Sequence, residues 1–128
     1  MRRHFVTRTA VTAATGEIEM SKFMLIYRAP GDVLEQLANA TPEQQQAAGE
    51  AWRAWSTRVG YAIADLGAPL AHTAHVGSGT AGTDGVCGYS VLEAGSADEV
   101  ATILDGHPHL ATPGGSIEVL EIVPINDL

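Results

Sequence analysis

The sequence predicts one α+β domain of ferredoxin-like βαββαβ layout, built on an antiparallel four-stranded sheet. Three observations carry this expectation. Short apolar runs bounded by turn residues recur four times along 128 residues. Two helical stretches with recognisable starts and glycine stops separate them. The resulting order, strand, helix, strand, strand, helix, strand, is the split β-α-β arrangement.

The first strand is Phe23-Met24-Leu25-Ile26-Tyr27, apolar throughout and stopped by Ala29-Pro30-Gly31-Asp32. A run of that length between turn residues reads as a strand buried on both faces. Asp32 to Ala40 is expected to be a loop with a helical turn around Leu34 and Leu37. At Thr41-Pro42-Glu43-Gln44 a helix begins: Thr41 accepts a backbone N–H, Pro42 suits the first helical position, and Gln44 closes a capping box. Ala48, Trp52, Trp55, Val59, Ile63 and Leu66 recur at three- and four-residue spacing, so the helix is expected to reach Leu66. Gly67 then takes the left-handed stop and Pro69 prevents continuation.

Leu70 to Val76 is expected to be the second strand, and Gly77 to Gly85 a flexible connection. Val86 to Ala94 follows as a strand, with Cys87, Tyr89, Val91 and Glu93 on one face. Ser96 and Glu99 form a second capping box, and Ala97, Val100, Ile103 and Leu104 make that helix's buried face. It ends at Gly106 before His107-Pro108. After Pro113-Gly114-Gly115, Ser116 to Pro124 is the last strand.

Two helices can cover only one face of a four-stranded sheet. The first strand is apolar on both sides, and a monomer seldom leaves so large an apolar surface wet. A second copy, related by a two-fold axis, is the expected cover. The N-terminal stretch, residues 1–20, is set apart by Arg2, Arg3 and Arg8 and by having no acidic group before Glu17. It is expected to be a disordered or mis-started extension ahead of Met20, with 21–128 as the domain proper.

Fifteen acidic against seven basic side chains give a formal charge of −8. Nucleic acid is an unsuitable partner for such a chain, since phosphate binding needs clustered Lys and Arg. No apolar run approaches the roughly 20 residues that span a bilayer. Cys87 is the single cysteine, so no intrachain disulfide forms, which suits a reducing, cytoplasmic setting.

Several segments resemble the YCII-related (DGPF-type) family. They are Lys22 to Tyr27, Gly67-Ala68-Pro69-Leu70, Gly88-Tyr89-Ser90-Val91-Leu92-Glu93-Ala94, Gly106-His107-Pro108-His109-Leu110 and Pro113-Gly114-Gly115-Ser116-Ile117-Glu118-Val119. The resemblance runs from Met20 to the end. It implies small bacterial proteins with a dimeric α/β-barrel, most without an assigned activity. Some relatives use a His/Asp pair in a cleft, and one branch includes a hydrolase of chlorinated aromatic lactones. Thr83-Asp84-Gly85 matches the start of the family's threonine-aspartate-glycine-proline-phenylalanine motif. Val86-Cys87 stands in place of its last two residues.

His107 and His109 flank Pro108 just past a helix end, and a neutral imidazole can act as general acid or base near neutral pH. The competing structural role is a rigid helix stop. Asp65 could orient one of them as a carboxylate does in acid–base pairs. These three are the catalytic candidates. Tyr27 and Tyr89 are the ligand-binding candidates, with hydroxyls facing a cleft between sheet and helices. Trp52 and Trp55 fit core or dimer packing better than a ligand pocket. His72, His75, His107 and His109 lack the thiolate or HExxH spacing of a zinc site, so no metal is expected. No cofactor is expected either. Two functions fit: a small-molecule binder or cofactor-free acid–base or hydrolytic enzyme using His, or a non-catalytic dimeric regulatory or interaction module.

Overall fold

The computed structural model describes residues 9–13, 16–79 and 85–127. Five strands, β1 (Thr9–Ala13), β2 (Gly16–Arg28), β3 (Ile63–Pro69), β4 (Val86–Ala94) and β5 (Ser116–Glu121), combine with three helices, α1 (Gly31–Ala38), α2 (Pro42–Arg58) and α3 (Ala97–Leu104). The main sheet has the order β5-β2-β4-β3 with every neighbour antiparallel, the ferredoxin-like layout expected from the sequence. β1 adds a short antiparallel pairing to the start of β2, Thr9 opposite Met20 and Ala13 opposite Gly16. The expectation for residues 1–8 of the N-terminal extension, like Thr83 and Asp84 of the partial motif, lies outside the described residues.

Alternation along the two central strands sets the core. Phe23, Leu25 and Tyr27 of β2, with Ser90, Leu92 and Ala94 of β4, face the helices and are buried. Trp55 of α2, Val59 just after its end, and Val100, Ile103 and Leu104 of α3 pack onto them. The Trp55 indole N–H donates to the Ile103 carbonyl at 3.1 Å, which joins α2 to α3. On the opposite face, Met24, Ile26 and Val91 are half-buried and Leu120 is exposed. Arg28 and Glu118 form an ion pair at 3.1 Å on that side.

Both expected helix starts are present. Thr41 Oγ1 accepts the Gln44 N–H at 3.1 Å, and Gln44 Oε1 accepts the Thr41 N–H at 2.9 Å. Ser96 caps α3 through the Glu99 N–H, while Glu99 reaches past it to the Gly95 N–H. The residues from 31 to 38 form a full helix rather than a loop with one turn.

Two boundaries are corrected. α2 stops at Arg58, a 3-10 turn spans Gly60–Ala62, and the second strand of the core is Ile63–Pro69, not 70–76. Leu70 to Val76 has no regular structure and is exposed. Gly60 weakens helix continuation by about 1 kcal/mol relative to alanine. Pairing of Ile63 with Leu92 rewards extended backbone instead. Helical spacing of Ile63 and Leu66 was thus a coincidence within a strand. Ala97, expected on the buried face of α3, is exposed.

Gly67 does adopt positive φ, +83°, but inside an irregular edge strand rather than as a helix stop. The register of β3 against β4 shifts between Asp65 and Ala68, and a Cβ on Gly67 would lie 1.8 Å from the Tyr89 carbonyl oxygen. Pro69 is tolerated because β3 is an edge strand. Among the described residues, no helix is long and apolar enough to cross a membrane. Gly67→Ala is expected to lower unfolding free energy by about 2–3 kcal/mol through backbone strain and displacement of β4. Urea denaturation measures it; an unchanged midpoint would contradict the close approach.

Candidate functional site

The site grows from the turn that follows α3. Gly106, at φ +77°, reverses the chain, and Pro108–Ala111 form a 3-10 turn with His107 as its N-terminal cap. The His109 backbone N–H donates to His107 Nδ1 at 3.0 Å, so that nitrogen carries a lone pair. His107 Nε2 lies 3.2 Å from the Tyr27 hydroxyl. Tyr27 Oη–H donates to Ser90 Oγ at 2.7 Å, and Ser90 Oγ–H donates to the Leu66 carbonyl at 2.6 Å.

Every hydrogen in this chain is fixed. A carbonyl can only accept, so the single Ser90 hydrogen goes to Leu66 and Ser90 must accept from Tyr27. With the Tyr27 hydrogen committed, His107 must donate from Nε2. The imidazole is therefore the neutral Nε2–H tautomer, with both nitrogens occupied.

Aromatic rings enclose His107: Trp55 at 4.3 Å between centroids, Trp52 at 4.6 Å and edge-on, and Tyr27 at 5.2 Å. Burial, aided by the neighbouring His109, pushes its pKa down to about 4. Burial likewise pushes the Tyr27 phenol up to about 12, opposed by the bond to Ser90. Neither group ionises near neutral pH.

His109 has a different situation. Its Nε2–H donates to the Arg28 carbonyl at 2.8 Å, which fixes the ring. Nδ1 makes no hydrogen bond among the described residues and is not sealed off. The ring borders a cavity of about 400 Å³. Tyr27, Trp52, Cys87, Tyr89 and the β3 stretch from Leu66 to Pro69 line the rest of it, with Gly88. Among the described residues, no Lys, Arg, Asp or Glu side chain forms its wall. Burial raises the Cys87 pKa, and its thiol donates to the Tyr27 carbonyl at 3.4 Å.

The structure thus brings His107, His109 and Tyr27 together and sets Tyr89 on the cavity wall. It does not bring Asp65 to either histidine. Asp65 lies within β3 rather than at a helix end, and its carboxylate accepts the Gly67 N–H at 2.9 Å and the Tyr89 hydroxyl at 3.3 Å. That carboxylate raises the Tyr89 pKa, through its charge first and the hydrogen bond second. Three participants escaped the sequence reading: Ser90, Trp52 as cavity wall, and the Arg28 carbonyl. Ser90 alone had a signal, a hydroxyl on the β4 face shared with Leu92 and Ala94, where burial demands a partner.

His107 makes stability depend on pH. Below pH 6.5 the unfolded chain binds a proton that the native imidazole refuses until about pH 4. Its contribution is complete above 6.5 and is lost as the pH falls to about 4, at most about 3 kcal/mol. The difference in unfolding free energy between wild type and His107→Gln, followed from pH 7 to 4, should shrink by that order. Parallel profiles would contradict the buried neutral ring.

No family model matches the chain, and no curated protein matches it. Among solved structures it is similar to the 5-chloro-2-hydroxyhydroquinone dehydrochlorinase of Burkholderia phenoliruptrix in complex with 2,5-dihydroxybenzoquinone. The two are 25% identical over 76% of this chain and 89% of that one, with a TM-score of 0.42.

Proposed function

We propose that the chain binds a small molecule in the cavity beside His109, and that His109 acts there as a cofactor-free acid–base group. One observation carries the reading: an imidazole held through Nε2 borders a largely apolar cavity, and its Nδ1 has no hydrogen-bond partner among the described residues. The volume of about 400 Å³ falls within the range of small-molecule sites, and few polar groups among apolar walls is their usual composition. When Nδ1 takes a proton, the Arg28 carbonyl at the far side of the ring stabilises the imidazolium. The reactions within reach are proton abstraction from a bound weak acid and base-assisted attack of water.

His107 is a positioning residue in this account, since its Nδ1 holds the His109 backbone and both its nitrogens are occupied. The segments that resemble the YCII-related family support the same reading, because Gly106 to Leu110, Gly67 to Leu70 and Gly88 to Ala94 all converge on the cavity or the groups behind it. Membership of that family is part of the proposal.

Thermal-shift screening against small acids, lactones and aromatics tests the binding. His109→Gln keeps an N–H donor for the Arg28 carbonyl and removes the Nδ1 acceptor. Ligands that raise the wild-type melting temperature should bind this variant about tenfold more weakly, as expected when a buried polar contact is lost. The unliganded melting temperature should change little. A ligand response identical in both proteins would contradict the role of His109.

We also propose that a second copy covers the sheet face opposite the helices. Half-buried Met24, Ile26 and Val91 beside exposed Leu120 form an apolar centre, with the Arg28–Glu118 ion pair among them. Such a centre with polar groups at its margin is the make-up of a protein interface. Sedimentation at micromolar concentration should show a dimer, and Leu120→Glu should yield a folded monomer. A monomeric wild type would contradict it.

A further inference from the structure

The two tryptophans of α2 differ in what their indole N–H groups do. An indole N–H can only donate, and a buried one normally finds an acceptor. Trp55 is buried and gives its N–H to the Ile103 carbonyl. Trp52 is half-buried, its ring edge-on to Tyr27 and His107, and its N–H has no partner among the described residues. That N–H is not sealed off, and Trp52 borders the cavity. The neighbouring polar side chains shorten the inventory. The Tyr27 hydroxyl is saturated, since it donates to Ser90 and receives Nε2–H of His107. His109 keeps the Nδ1 lone pair. Cys87 and Tyr89 carry their side chains on the sheet face away from the helices, as the alternation along β4 requires, and the Tyr89 hydroxyl there is paired with Asp65. Two unpaired side-chain positions remain beside the cavity on the helix side: a donor on α2 and an acceptor on the turn after α3.

We infer that Trp52 Nε1–H and His109 Nδ1 together hold the ligand, so that the cavity selects uncharged molecules bearing both a carbonyl-type acceptor and an O–H or N–H donor. This rests on the cavity reading above and gives it a ligand class. A molecule with acceptors alone takes water from His109 Nδ1 and returns no bond, and one with donors alone does the same to Trp52. Leu66, Ala68 and Pro69 add burial without polar choice, and the described wall has no Lys, Arg, Asp or Glu to pair with a charged ligand. Selection by leaving a site group unpaired against the wrong molecule discriminates strongly.

Donor and acceptor sit on different elements but are tied together. Trp52 packs edge-on against His107 at 4.6 Å, and His107 Nδ1 holds the His109 backbone N–H at 3.0 Å. Two contacts thus set the spacing of the two unpaired groups before any ligand arrives, which lowers the cost of binding one that matches.

The test uses three uncharged probes of one shape. In 3-hydroxyacetophenone the carbonyl and hydroxyl lie too far apart to bond each other; 3-ethylphenol lacks the carbonyl, and 3-methoxyacetophenone lacks the donor. Burial alone would favour the last two, which are less polar. By titration calorimetry on the full-length protein, 3-hydroxyacetophenone should bind at least about fivefold more tightly than either. Trp52→Phe keeps an aromatic ring and should erase the advantage over 3-ethylphenol while retaining that over 3-methoxyacetophenone. His109→Gln should do the reverse, and both variants should keep the wild-type circular dichroism spectrum. The wild type reports directly as well, because the chain has two tryptophans and so two indole proton resonances. The Trp52 resonance should move further downfield with either ketone than with 3-ethylphenol. Equal or reversed wild-type affinities, or a Trp52 indole that answers all three probes alike, would overturn the inference. If that is seen and His109→Gln still weakens binding, the cavity reading survives and only the paired donor and acceptor fall. If no probe binds at millimolar concentration, both fall.

Discussion

A peptide carbonyl accepts hydrogen bonds and never donates them, and two such groups fix the hydrogen-bond directions around the two histidines. The Leu66 carbonyl at one end, and the His109 backbone N–H at the other, bracket a chain through Ser90, Tyr27 and His107. The Arg28 carbonyl fixes His109 separately. The bracketed chain crosses from the edge strand β3 through β4 and β2 to the turn after α3. Four segments distant in sequence are held by groups that are each costly to leave unpaired, about 1–3 kcal/mol apiece. Because both ends are peptide groups, the chain cannot reverse. It is a fixed scaffold of dipoles rather than a path along which protons move.

That fixity divides the labour between two histidines only two residues apart. Pro108 and the 3-10 turn send His107 inward among Trp52, Trp55 and Tyr27, where desolvation keeps it neutral. The same turn sends His109 to the cavity wall with one nitrogen anchored and one available. His107 is buried and neutral with both nitrogens paired, whereas His109, beside the cavity, keeps one nitrogen without a hydrogen-bond partner among the described residues. The irregular stretch of β3 around Gly67 completes the arrangement. Its break in register leaves the Leu66 carbonyl for Ser90, while Asp65 ties the Gly67 N–H and the Tyr89 hydroxyl together. Irregular edge strands often shape sites in this way.

Much of the architecture was legible in the residues because local chemistry and tertiary structure agreed. Thr41, Pro42 and Gln44 announced α2, Ser96 announced α3, and the alternation from Val86 to Ala94 gave β4 with its faces correctly assigned. Legibility ended where long-range pairing overrode a local pattern. Ile63 and Leu66 kept helical spacing with Trp52 and Val59, yet pairing with β4 draws them into a strand. This error moved Asp65 to a helix end and made it a partner for histidine, when it serves Gly67 and Tyr89 instead. His107 and His109 stood out, but their separate roles depend on the Tyr27 hydroxyl, the Ser90 hydroxyl and the Arg28 carbonyl. No spacing in the chain reveals where a backbone carbonyl will point.

The tautomer of His107 bears on all of this most directly, and long-range 1H–15N correlation spectroscopy of labelled imidazoles reads it without perturbing the protein. The account requires the His107 ring to show the neutral Nε2–H pattern, with Nδ1 unprotonated, and to hold that pattern from pH 7.5 down to pH 5.5. A proton on Nδ1, or an imidazolium appearing near pH 6.5, would break the link to the His109 backbone and with it the fixed direction of the chain through Tyr27 and Ser90.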